Sequence, residues 1–82
     1  MAQQFSTQKI KTRTSVLVFI KGSAAPLVLY VENPQEVYAE LTQCIKSSTP
    51  TFVEKETNGP LKKVSFISNQ VAAVAVQEEQ YV

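Results

Sequence analysis

The 82-residue chain has no histidine, no aspartate and no tryptophan, and a single cysteine. These gaps exclude a good deal. Nucleophilic catalysis pairs a nucleophile with a base that activates it. Cys44 is the only thiol, and no imidazole exists to draw off its proton. A zinc site takes about four Cys or His ligands, so no metal is expected. One cysteine closes no internal disulfide, so a reducing cytoplasm is the expected compartment. The two glycines, Gly22 and Gly59, do not make a phosphate-cradling loop. No cofactor and no enzymatic activity are expected. The carboxylates Glu54 and Glu56 would stand about 7 Å apart on one strand face, a spacing compatible with acid–base work. With Lys55 between them they read as a solvated edge. Apolar runs such as residues 16–20 fall far short of the ~20 residues a membrane helix needs. The polar N-terminal stretch has no signal-peptide core, so no membrane association is expected.

What is present is a mixed composition, 44% hydrophobic and 18% charged, with a net charge of +1. That near-neutrality is the sum of two unlike parts. Residues 1–31 carry Lys9, Lys11, Arg13 and Lys21 with no acid, giving +4, while residues 32–82 carry four lysines and seven glutamates, giving −3. The size sets one small domain over residues 1–82, with residues 1–8 and 78–82 expected to fray. A domain this small buries roughly 60% of its unfolded surface, so a partner surface would add useful stability.

The pattern along the chain predicts β-β-α-β-β-β. Residues 9–14 alternate basic or polar with apolar or threonine, then Val16, Leu17, Val18, Phe19 and Ile20 run on as a β-branched and aromatic strand. Gly22 and Pro26 punctuate a loop of about four or five residues before a second strand over 27–31. Asn33, Pro34 and Glu36 predict a helix start, with Asn33 as side-chain cap and Pro34 at the first helical position. Val37, Tyr38, Leu41, Cys44 and Ile45 follow at helical spacing, and Pro50 closes the helix near Ser47. Strands are expected over 51–56, 61–68 and 71–76, separated by Asn58-Gly59 and Ser68-Asn69 turns. The fold class is therefore α+β. The simplest assembly is one mainly antiparallel sheet of four or five strands with one helix on one face.

Two surfaces are candidates for function. The strand holding Val16, Leu17, Val18, Phe19 and Ile20 is apolar on both sides, and a single helix covers only one. The second side then marks an interface, most simply with an identical subunit in a dimer. The row Lys9, Lys11 and Arg13, extended by Lys21, is the other candidate. It suits phosphates, an acidic partner or the chain's own acidic half, although it also reads as an edge strand kept soluble by charge.

The segments Ala25-Pro26-Leu27-Val28-Leu29, Val37-Tyr38-Ala39-Glu40-Leu41, Thr49-Pro50-Thr51, Lys62-Lys63-Val64-Ser65-Phe66-Ile67 and Val71-Ala72-Ala73-Val74 resemble a small uncharacterised protein family of cyanobacteria and plastids. The likeness spans roughly residues 15–77. It implies a cytoplasmic, non-enzymatic protein and supplies no catalytic residues. The function expected is a small non-catalytic interaction or assembly module, self-associating through an apolar sheet face, with an unknown protein as a further partner. The alternative is a nucleic-acid-binding protein that uses the basic N-terminal strand.

Overall fold

A computed structural model describes residues 11–81, and the expectations for Lys9 and for residues 1–8 lie outside them. In chain order the elements are β1 (Lys11–Ile20), β2 (Leu27–Leu29), α1 (Pro34–Lys46), β3 (Phe52–Glu56), β4 (Lys63–Ile67), a short 3₁₀ turn (Ser68–Gln70) and β5 (Val71–Tyr81). The α+β class with antiparallel strands holds. The strands do not form one sheet, however. They divide into a three-stranded sheet ordered β2-β1-β5 and a two-stranded sheet of β3 and β4.

The division has a local cause. The Ser68–Gln70 turn carries the chain from one sheet to the other, and β4 and β5 do not pair. Ser68 fixes this turn. Its amide donates to the Thr51 carbonyl at 2.8 Å, and its hydroxyl accepts from the Thr51 amide at 2.8 Å.

β1 is the spine. It pairs with β5 from Lys11↔Tyr81 to Ile20↔Val71, with a register shift between Phe19 and Ile20 that leaves Ala72 as the extra residue. Residues 78–81, expected to fray, are therefore part of the longest strand pairing. β2 pairs with only the middle of β1, from Val16↔Leu29 to Val18↔Leu27.

α1 starts with Pro34 at its first turn, as the proline's missing amide favours. The Asn33 side chain makes no capping bond, contrary to expectation; its carbonyl instead accepts from the Val37 amide at 3.1 Å. Leu41 is the fully buried residue of the helix, with Val37 and Cys44 beside it. Tyr38 and Ile45, at the margins of the same stripe, stay exposed.

One core results. Val16, Val18 and Leu29 from the three-stranded sheet meet Leu41 from the helix, Val53 and Val64 from the β3–β4 hairpin, and Val71. Strand alternation puts the hairpin's Val53, Lys55, Val64 and Phe66 on its inner side, and Phe52, Glu54, Glu56, Ser65 and Ile67 on its outer side. Lys55 reaches Glu40 of α1 at 2.5 Å, tying hairpin to helix at the rim. Among the described residues no helix is long and apolar enough to cross a membrane.

Candidate interaction face

The residues of β1 separate by parity. Val16 and Val18 are 0% exposed and belong to the core, and Ile20 packs against it. Of the five candidate interface residues 16–20, this alternation commits Val16, Val18 and Ile20 to the chain's own core and leaves Leu17 and Phe19 for the second side. Leu17 and Phe19 point the other way and remain half-buried. In register, Leu17 lies between Val28 and Ala75, and Phe19 lies beside Ala73. Directly paired antiparallel residues share a face. Leu17, Phe19, Val28, Ala73 and Ala75 thus form one apolar surface on the side of the sheet opposite α1.

At the other end of this face the chemistry turns polar. Arg13 stands opposite Glu79 in the β1–β5 ladder, and its Nε lies 3.4 Å from Glu79 Oε1. The Tyr30 hydroxyl donates to the same oxygen at 3.0 Å, and Gln77 Nε2 donates to Glu79 Oε2 at 3.0 Å. The Arg13 guanidinium carbon sits 3.9 Å from the Tyr30 ring centroid, a cation–π distance.

Tyr30 follows β2 and Glu79 belongs to β5, on opposite sides of β1. Their hydrogen bond therefore passes over β1, whose outward residue there is Ser15. At this strap Ser15 is 0% exposed although no helix lies above this face. Ser15 Oγ finds no hydrogen-bond partner among the described residues.

Tyr30 is itself held from below. The Asn58 amide donates to the Tyr30 carbonyl at 2.7 Å. Gly59, at φ +96°, lies so close that a Cβ there would stand 2.6 Å from Tyr30 Cδ2. The β3–β4 turn thereby braces the strap, and an apolar groove opens beside it between Pro26, Val28, Tyr30, Pro60 and Leu61.

No family model matches this chain, and no curated protein or solved structure matches it.

The expected basic row fares differently from the apolar face. Lys11 is exposed on the strand, and Arg13 is engaged by Glu79 and Tyr30. Lys21 follows the far end of β1, eight residues and so about 26 Å of extended chain from Arg13. The structure does not bring the three into one patch. Glu54 and Glu56 do share the outer side of β3, where Glu54 lies 3.9 Å from Lys63 Nζ. Tyr30, Gln77 and Glu79 were not predicted as a group. The one sequence signal for the group is the opposite charge of Arg13 and Glu79, which becomes a pair only once the β1–β5 register is known.

Proposed function

We propose that this chain is a small, non-catalytic protein-interaction or assembly module that works in the cytoplasm. It self-associates, as a dimer in the simplest case, through the apolar face of the three-stranded sheet opposite the helix. One observation carries this reading: Leu17 and Phe19 occupy the centre of that face, half-buried, with apolar residues on either side in register. Contiguous apolar surface on a small domain marks a contact with another protein.

The test is the mass in solution of the wild-type chain, of Leu17→Lys and of Phe19→Lys. Both side chains lie outside the core, so each variant should keep its circular dichroism and lose its self-association. A wild type that stays monomeric at tens of micromolar, or variants that keep the wild-type mass, would sink the reading.

The nucleic-acid reading through Lys9, Lys11, Arg13 and Lys21 has weaker support. The Arg13 charge already faces a carboxylate. Phosphate binding would show a steep salt dependence on random single-stranded or duplex nucleic acid.

A further inference from the structure

The strand edges of this molecule are protected unequally. β2 is three residues long and preceded by Pro26. The part of β1 beyond its pairing with β2 carries Lys11 and Arg13. β3 carries Glu54, Lys55 and Glu56, and β4 opens on Lys63 just after Pro60. Short length, proline and charge are the means by which edges avoid pairing with other chains. Among the described residues β5 is also an edge strand, with β1 on one side only. Its N-terminal end is irregular at Ala72, and its C-terminal end carries Glu78 and Glu79. Between them residues 73–77 (Ala-Val-Ala-Val-Gln) have no charge, no proline and no bulge.

We infer that β5 pairs antiparallel, edge to edge, with β5 of a second copy, joining two three-stranded sheets into one of six strands. The inference rests on the self-association reading for its occupant, but uses a different surface. The sequence of the stretch suits a two-fold axis. Centred on Ala75, the pairing sets Val74 against the partner's Val76 on the helix side, and Ala75 against its own counterpart on the open side. Charge fixes the direction. A parallel arrangement in register would oppose Glu78 and Glu79 to themselves, which is destabilising. The antiparallel one sets them against the partner's Ala72 and Val71. Lys21, whose amide donates to the Gln70 carbonyl, then lies in the partner two strands away, about 9.6 Å across the sheet. That is within the ~10 Å over which charges act at 0.1 M salt. A five-residue ladder buries less than the roughly 800 Å² per partner of a standard interface, so this contact is weak and concentration-dependent.

Cross-linking separates this edge from the apolar face. With Cys44→Ser as background, Val74→Cys and Val76→Cys are prepared as two single-cysteine proteins and mixed under mild oxidation at high micromolar concentration. Opposed residues of antiparallel strands have Cα atoms about 4.5–5.5 Å apart, inside the 4.4–6.8 Å range of disulfides. In a face-to-face dimer both positions point away from the contact. A disulfide dimer that forms in the mixture and not from either variant alone supports edge pairing. A wild type that dimerises without yielding the mixed disulfide, and dissociates on Leu17→Lys, overturns edge pairing and leaves the face reading intact. A strictly monomeric wild type overturns both. If either cysteine variant fails to fold, amide exchange of the wild type at low micromolar and millimolar concentration decides instead. Slower exchange confined to residues 73–77 at the higher concentration supports the edge, and unchanged exchange there overturns it.

Discussion

Val16 and Val18 are fully buried, while Leu17, between them, is not. The three share one strand and comparable hydrophobicity. What differs is the layer above each. On one side lie α1 and the β3–β4 hairpin; on the other the apolar residues have no layer over them among the described residues, except where Tyr30 crosses to Glu79. Ser15 sharpens the contrast. It is a polar residue on the open side, and it is as buried as the valines at the place where the bond from Tyr30 to Glu79 crosses β1. Burial in this sheet follows what lies overhead more closely than it follows side-chain polarity.

The largest effect that would break this comparison is in the core. Leu41→Ala should cost about 2–5 kcal/mol of unfolding free energy, as a cavity left among packed side chains does. Leu17→Ala on the open face should cost well under half of that in the monomer. Similar shifts of the urea midpoint for the two would erase the distinction between the faces.

The strap comes next. Gly59→Ala drives a methyl group into the Tyr30 ring and sets a side chain at φ +96°. A loss of about 1–3 kcal/mol is expected from the strain. Gly22 provides the control, since its φ is also positive, at +79°, but a Cβ there meets nothing within 4 Å. Gly22→Ala should therefore lose less than Gly59→Ala in the same thermal melt.

Removing only the hydroxyl, Tyr30→Phe, keeps the ring against Arg13 and breaks its bond to Glu79. About 0.5–1.5 kcal/mol is the ordinary net worth of one such bond. A loss as large as that of Leu41→Ala would mean that the strap, rather than the core, organises the sheet.

The smallest effect has the opposite sign. Ser15→Ala removes a buried hydroxyl that has no partner among the described residues, and should leave stability unchanged or raise it by up to about 1 kcal/mol. A clear loss in chemical denaturation would show that the hydroxyl is satisfied.

Much of this architecture is written in local sequence. Pro34 and Pro50 bracket the helix, Gly59 marks the hairpin turn, and the alternation in residues 63–67 assigns Val64 and Phe66 to the inner side. Long-range partners are less legible. Residues 77–81 (Gln-Glu-Glu-Gln-Tyr) have no strand-like apolar pattern, and they are held in β5 by the β1 residues opposite them. The separation into two sheets depends on three residues, Ser68 to Gln70, that read as an ordinary turn. For the candidate site, the uncovered face follows from counting one helix against a two-sided apolar strand. Which residues occupy it required the register. Arg13 was visible as a charge, but its partners Glu79 and Tyr30 lie 66 and 17 positions away in the chain.

The β1–β5 ladder has a consequence for biosynthesis. Lys11 and Tyr81 face each other across a sequence separation of 70 positions, so the spine of the fold joins two segments that are synthesised far apart in time. During translation β1 emerges first and can form only its short pairing with β2, leaving its apolar residues without their main neighbour. Contacts so distant in sequence form slowly, and unpaired apolar strands are vulnerable until they do. On the ribosome this domain should therefore fold only once β5 has cleared the exit tunnel, in one step rather than strand by strand.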